Sequence, residues 1–111
     1  FGGPAKVIPA FAKLGASFYF PGYFLHERTF KQRETFKKVP ADRLLIETDA
    51  PDQPLPADKI LFPLADENGQ PLNHPANLPA VYSGLAEFLS ENLASLAARV
   101  EENFLRVFGG L

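Results

Sequence analysis

The sequence predicts an α/β fold in which two short parallel strands belong to a sheet covered by helices. Residues 44–46, Leu-Leu-Ile, form an apolar run between a helical pattern and a proline-rich stretch. Such a run is typical of a strand buried on both faces. The order helix, strand, helix, strand is what βαβ units produce. Two or three strands are too few to bury the apolar faces of four helices, so we expect the chain to be part of a larger sheet.

The first helix and strand are expected within residues 4–20. Residues 4–14 carry apolar side chains at helical spacing between Pro4 and Gly15. Pro9 is expected to delay or kink the start of this helix. Residues 16–20 are rich in aromatic side chains and predict a strand that Pro21-Gly22 ends.

A second helix and strand follow. Thr29 and Gln32 match a capping box that would open the helix, and the helix is expected to end before Pro40. The basic residues of this region, Arg28, Lys31, Arg33, Lys37, Lys38 and Arg43, predict the solvated face of a surface helix, with a phosphate-facing patch as the alternative. The second strand is expected over residues 44–48.

Residues 51–75 interrupt this order with a proline-rich loop. The segment contains six prolines and an Asn68-Gly69 turn signal. A loop of this length inside a compact domain is usually functional or disordered. Because it directly follows the second strand, we expect it to pack across the strand ends.

Two helices are expected to close the chain. The first runs over about residues 79–89, and the second starts near Ser90 and ends at Gly109-Gly110. The second helix has a continuous apolar face formed by Leu93, Leu96, Ala97, Val100, Phe104 and Val107.

Composition sets limits on function. The 111 residues are 46% hydrophobic and 22% charged, as in an ordinary globular domain, and the net charge of −2 argues against a globally basic nucleic-acid binder. No apolar run approaches the roughly 20 residues that span a bilayer. Without cysteine, a metal would need oxygen and nitrogen ligands, and a cytoplasmic location is expected. The chain has no methionine and opens on Phe-Gly-Gly, so we expect it to be a piece of a longer protein.

Asp49 is the main candidate for chemistry. It lies where the second strand should end, and the carboxyl ends of parallel strands are where α/β active sites are built. A carboxylate there needs a partner or a metal, although capping of the turn at Pro51 is the structural alternative. Glu47 would point to the same side of a regular strand and either orient Asp49 or pair with a basic residue.

Two further groups have competing interpretations. His26 and His74 fall in loops expected at the strand ends, where His74 beside Asn73 is the better candidate to contact a substrate phosphate. The aromatic residues Tyr19, Phe20, Tyr23 and Phe24 could stack on unpaired bases, but such a cluster more often forms core.

The segment 45–51, Leu-Ile-Glu-Thr-Asp-Ala-Pro, resembles the signature near the C-terminal end of the TatD family of metal-dependent hydrolases. Other segments resemble the family in the same order: Phe1-Gly2-Gly3 (the tail of its H-x-F-x-G motif), the strand within 15–22, Val-Pro-Ala-Asp-Arg at 39–43, Asn73-His74-Pro75 (its N-x-P element), and Asn103 with Phe108 (its N-x-x-x-x-F close). One departure is that Val100, Glu101 and Glu102 replace hydroxyl residues common before the closing Asn.

The resemblance implies that residues 1–111 are one partial domain, the last third of a (β/α)₈ barrel of about 250 residues or more. It implies a nuclease that cleaves DNA phosphodiesters with one or two divalent metals (Mg, Mn or Zn). Asp49 maps onto the aspartate ligand of the last strand and would also act as general base. Glu47, Asn73 and His74 would orient this ligand or contact substrate.

Two alternatives stay open. The chain could be a non-catalytic barrel segment, or its parent could be a sister amidohydrolase acting on a small ester or amide. The isolated chain is expected to be inactive, since one carboxylate cannot hold a catalytic metal. Exposed strand edges predict that it self-associates.

Overall fold

A computed structural model describes residues 4–47, 50 and 55–109. The α-helices are α1 (Ile8–Lys13), α2 (Phe30–Thr35), α3 (Leu78–Leu89) and α4 (Leu93–Phe108), and the strands are β1 (Phe18–Pro21), β2 (Leu44–Glu47), β3 (Leu64–Ala65) and β4 (Pro71–Leu72). Turns of 3-10 helix lie at Ala5–Val7, Gly22–Leu25, Glu27–Thr29, Phe36–Lys38, Ala41–Arg43, Ala57–Lys59 and Pro75–Asn77.

Strands β1 and β2 pair in parallel, as the sequence predicts. Phe18 lies opposite Leu44, and Pro21 lies opposite Glu47. Because both strands run the same way, they end at one edge of the sheet, which we call the carboxyl edge. Any side chain that directly follows either strand is therefore placed at this edge.

The core lies between the two strands and helices α3 and α4. Phe20, Leu85 and Leu96 are fully buried, and the ring of Phe20 packs edge-on against the rings of Phe24 and Phe36 at centroid distances of 5.9 and 5.0 Å. Edge-to-face contacts of this kind are favourable for aromatic rings. The core interpretation of the aromatic cluster is thus confirmed for Phe20 and Phe24.

Only part of the apolar face of α4 is buried within the described chain. Leu96 and Val100 are buried, whereas Leu93, Phe104 and Val107 are 46%, 51% and 44% exposed. Such a half-covered apolar face is typical of a helix that also packs against other elements. Self-association of the isolated chain stays a prediction.

Two local expectations are wrong. The hydroxyl of Thr29 does not cap α2 but donates to the carbonyl oxygen of His26 at 2.7 Å, because a 3-10 turn already leads into this helix. Helix α4 begins at Leu93 and not near Ser90, because Ser90 adopts a left-handed φ of 56° and ends α3. Asn92 is the true N-cap, with its Oδ1 accepting from Ser95 N at 3.1 Å.

The proline-rich loop is not featureless in its described part, residues 55–75. Strands β3 and β4 form an antiparallel hairpin around the predicted Asn68-Gly69 turn. Gly69 has a φ of +77°, which favours glycine, and the Asp66 carboxylate accepts from the backbone N–H groups of Asn68 and Gln70. The packing of the whole loop, residues 51–75, across the strand ends stays a prediction.

Asn103 links α4 to the start of β2. Its side chain is 1% exposed, and its Nδ2 donates to the carbonyl oxygens of Ala41 and Leu44, both at 2.9 Å. One amide group thus satisfies two backbone acceptors where the chain enters the strand. Buried carbonyl groups that lose such donors are costly.

We predict that Asn103→Ala lowers the free energy of unfolding of the full-length protein by about 2 kcal/mol, because two buried hydrogen bonds are lost. Urea unfolding followed by circular dichroism measures the change. Asn68→Ala, at an exposed hairpin position, is the matched control and should change the free energy by less than about 0.5 kcal/mol. Equal effects of the two substitutions would contradict the assigned role of Asn103.

Candidate functional site

The loops that follow β1 and β2 meet at the carboxyl edge. Gly22 comes directly after β1, and a Cβ atom placed on it would lie 2.4 Å from Leu55 Cδ2 and 2.8 Å from Val81 Cγ2. Leu55 belongs to the loop after β2, and Val81 belongs to the start of α3. A larger residue at position 22 would therefore force the side chains of Leu55 and Val81 to shift at this edge.

Arg33 holds the loop after β1 in place. Its side chain is 8% exposed, and Nη1 donates to the carbonyl oxygens of Phe24 at 2.9 Å and His26 at 3.0 Å. The guanidinium also lies 5.4 Å from the ring centroids of both Phe30 and Phe88. These contacts offset the cost of burying the charge. The expected solvated face is therefore wrong for Arg33, although Lys31, Lys37 and Lys38 are exposed.

A cavity of about 600 Å³ lies between the two loops. Its charged lining residues are Arg28 and Lys59 against Glu27 and Asp58, with His26 beside them. Arg28 is held by Tyr23, whose hydroxyl accepts from Nε at 3.0 Å and from Nη2 at 2.8 Å. Because the two cations are balanced by two carboxylates, the lining does not by its charge alone select an anion.

A second cavity, of about 460 Å³, lies between the strands and helices α3 and α4. Tyr82 and Glu101 are among its lining residues. Burial raises the pKa of Tyr82, and the Glu101 carboxylate raises it further. The phenol is therefore neutral at ordinary pH and is not a candidate base.

The predicted site residues fall in three places. Glu47 is the last residue of β2 and is half-buried at the carboxyl edge. Asp49 lies outside the described residues. Asn73 and His74 precede α3, where Asn73 is only 4% exposed and His74 is half-buried. The burial of Asn73 favours an orienting role over direct contact with substrate.

The environment of His74 fixes its ring. Its Nδ1 accepts a hydrogen bond from Ala76 N at 3.0 Å, so the neutral ring carries its proton on Nε2. The same ring lies 5.8 Å from the ring of Phe62, at an interplanar angle of 36°. His74 therefore offers a donor, and not an acceptor, to a ligand.

The described residues do not by themselves form a metal centre. Within 4–47, 50 and 55–109, no group of three or more His, Asp or Glu side chains lies close enough together to hold a metal ion. A metal would need ligands from outside these ranges, with Asp49 as the candidate that this chain supplies.

Sequence reasoning missed Asn77. It is 2% exposed, and its Oδ1 accepts from the backbone N–H groups of Leu61 at 2.9 Å and Phe62 at 2.8 Å. Its Nδ2 donates to the carbonyl oxygen of Phe62 at 3.0 Å. An Asn before a helix predicts an N-cap, and nothing in the local pattern shows that this one binds a loop 15 residues away.

Comparison with known proteins identifies the family. The family model described as TatD related DNase matches residues 1–109. The chain belongs to the TatD-related DNase family. In the described part of this TatD-family chain, no helix is both long and apolar enough to cross a membrane.

Relatives match almost the whole chain. It is 34% identical over 110 residues to the "3'-5' ssDNA/RNA exonuclease TatD" of Pantoea ananatis, covering 98% of this chain and 40% of that protein. It is 31% identical over 108 residues to the "uncharacterized metal-dependent hydrolase YjjV" of Escherichia coli, covering 97% of this chain and 38% of that protein. The chain thus spans about 40% of the length of the curated relatives that it matches.

Solved structures agree with the fold. The crystal structure of YjjV from Escherichia coli superposes with a TM-score of 0.76 at 29% identity, covering 98% of this chain and 38% of that one. A TatD-family hydrolase from Entamoeba histolytica gives a TM-score of 0.76 at 19% identity, over 95% of this chain and 39% of that one, and shows the fold alone. These neighbours are TIM-barrel hydrolases, so the predicted fold class, part of a (β/α)₈ barrel, is confirmed.

We predict that Arg33→Met lowers the free energy of unfolding of the full-length protein by about 2 kcal/mol, because two loop carbonyl groups lose a charged donor. Lys31→Met, at an exposed position of the same helix, is the control and should change it by less than about 0.5 kcal/mol. Urea unfolding measures both variants. If Arg33→Met is as stable as the control, the guanidinium does not hold this loop.

Proposed function

We propose that the full-length protein containing this chain is a cytoplasmic metal-dependent hydrolase that cleaves phosphodiester bonds in DNA. Membership of the TatD-related DNase family supports this proposal, as does the exonuclease named among the relatives. The name of the YjjV relative supports a metal cofactor. The cofactor would be one or two divalent ions, Mg, Mn or Zn.

The observation that carries the proposal is the direction and end of β2. This strand runs parallel to β1 and ends at Glu47, and Asp49 follows two residues later in the sequence. Residues two apart point to the same side of a strand. If β2 continues regularly, Glu47 and Asp49 lie on one side at the carboxyl edge, where active sites of this architecture are built.

Asp49 would act through both carboxylate oxygens. One would ligate the metal, and the other would accept the proton of the attacking water. A bound divalent cation lowers the pKa of water toward neutrality. It would also keep the Asp49 carboxylate ionised at neutral pH. Glu47 would orient this carboxylate.

We predict that Asp49→Asn in the full-length protein lowers the rate of divalent-metal-dependent DNA cleavage by about 100- to 10,000-fold, because the proton acceptor is lost. A gel assay with an end-labelled oligonucleotide measures the rate. Asp42→Asn is the matched control, because Asp42 lies in the 3-10 turn before β2, at the opposite edge of the sheet. Undiminished cleavage by Asp49→Asn would show that the catalytic assignment is wrong.

We predict a smaller effect for Glu47→Gln, about 10- to 100-fold on kcat, because residues that orient a metal ligand typically contribute this much. Steady-state cleavage kinetics and urea unfolding are measured together. A lower free energy of unfolding with unchanged kcat would favour the alternative, in which Glu47 pairs with a basic residue of the barrel.

A second candidate function is hydrolysis of a small ester or amide. This second function is retained because the name of the YjjV relative specifies metal dependence and does not specify a nucleic acid. A panel of oligonucleotides, small phosphodiesters, esters and amides distinguishes the two. Faster turnover of a small ester or amide than of any oligonucleotide would replace the nuclease proposal.

A further inference from the structure

A short loop segment exposes consecutive apolar side chains although its backbone is held firmly. Leu61 is 58% exposed and Phe62 is 48% exposed. The three hydrogen bonds from the buried Asn77 amide fix the backbone of both residues. These hydrogen bonds hold the backbone from which both exposed side chains project.

The rings of Phe62 and His74 lie close together at an interplanar angle of 36°, and we call this pair the aromatic platform. Their ring centroids are 5.8 Å apart, and the His74 ring is itself fixed through Nδ1. About half of the Phe62 side chain stays exposed. The platform therefore combines an open aromatic surface with the Nε2–H donor of His74.

The platform lies on the side of the sheet where the strands end. Asn77 directly precedes α3, and Val81 at the start of α3 packs against Gly22, the residue that follows β1. In the sequence, Asp49 comes two residues after Glu47, the last residue of β2. The aromatic platform and the end of β2 thus lie on the same side of the sheet.

We propose that the aromatic platform binds one unpaired nucleobase of a single-stranded nucleic-acid substrate, with the base stacked on Phe62. This inference rests on the proposed nuclease function and adds a base-binding residue to it. Aromatic side chains stack on unpaired bases of any identity. The bases of a duplex are already paired and stacked, so the platform favours single strands.

Chemistry favours a nucleobase over an anionic group as the occupant. The nearby cavity between the loops has balanced charges, so it offers no strong phosphate attraction. A rigid ring loses little conformational freedom when a base stacks on it, because its backbone and its neighbour are already fixed. The His74 Nε2–H can then donate to the edge of the base or to its phosphate.

The test uses the full-length protein with Asp49→Asn, which prevents cleavage during binding, and fluorescein-labelled single-stranded DNA. We expect Phe62→Ala to weaken binding about 10-fold, as loss of one stacked base would, and Phe62→Trp to retain it. Leu61→Ala is the matched control, since Leu61 is a similarly exposed apolar neighbour, and it should change the Kd by less than about two-fold. Binding is measured by fluorescence anisotropy.

A series of oligonucleotides with one abasic position each locates the stacked base. With Phe62 present, one abasic position should weaken binding about 10-fold more than the others. With Phe62→Ala, the abasic position should have no further effect, because the stacking partner is already gone. Equal binding by Phe62→Ala and its parent, or additive losses, would overturn the inference.

Further results distinguish failure of this inference from failure of the proposed nuclease function. If the protein with Asp49 intact cleaves DNA and Phe62→Ala binds normally, only the aromatic platform is wrong. If the intact protein cleaves no nucleic acid with any divalent metal, the nuclease proposal fails and the platform fails with it. If Phe62→Ala changes the sedimentation mass of the protein, a second copy covers this surface, and the inference is likewise overturned.

Discussion

The constraint on which the candidate site depends is that irregular backbone near a buried sheet must still form hydrogen bonds. In the loops that follow β1 and β2, Phe24, His26, Leu61 and Phe62 lie outside the strand pairings of the described chain, so their backbone N–H and C=O groups need other partners. Arg33 satisfies two carbonyl groups of the first loop, and Asn77 satisfies two N–H groups and one carbonyl group of the second. Each of these side chains comes from the start of a helix, or close to it, so helix packing fixes the loops.

The same solution appears at the opposite edge of the sheet. Asn103 on α4 satisfies the carbonyl groups of Ala41 and Leu44, where the chain enters β2. At the carboxyl edge, Asn77 binds the backbone of Leu61 and Phe62 and leaves their side chains exposed. The carboxyl edge is the candidate for binding because active sites of this architecture are built there.

Sequence patterns correctly predicted those elements that are determined by the residue pattern of their own segment. The Leu-Leu-Ile run gave β2, the helical spacing of apolar residues gave α3, and Asn68-Gly69 gave the hairpin turn. Patterns failed where one side chain had a choice of partners. Thr29 has the residue type and spacing of a capping box, but the 3-10 turn before the helix places the carbonyl of His26, three residues earlier, within its reach.

Arg33 and Asn77 show the same limit more sharply. In a run of basic residues on a helix, only the packing of Phe30 and Phe88 distinguishes the one buried arginine from its exposed neighbours. Asn77 binds a loop 15 residues away, and no local spacing encodes that contact. By contrast, Asp49 and His74 could be predicted as site residues because position after a strand and a motif resemblance are properties of the sequence itself.

Charge and packing together determine how this chain could recognise a nucleic acid. Its net charge of −2 and the balanced lining of the cavity between the loops give little long-range attraction for a polyanion. Binding energy must then come from short-range contacts, which depend on groups held at fixed positions. A metal-bound carboxylate would act on the phosphate, and a rigid aromatic surface would act on the base. A fold that fixes the backbone of Phe62 through a buried amide would meet the second requirement without adding charge, and under the proposed stacking, discrimination would depend on whether a base is unpaired.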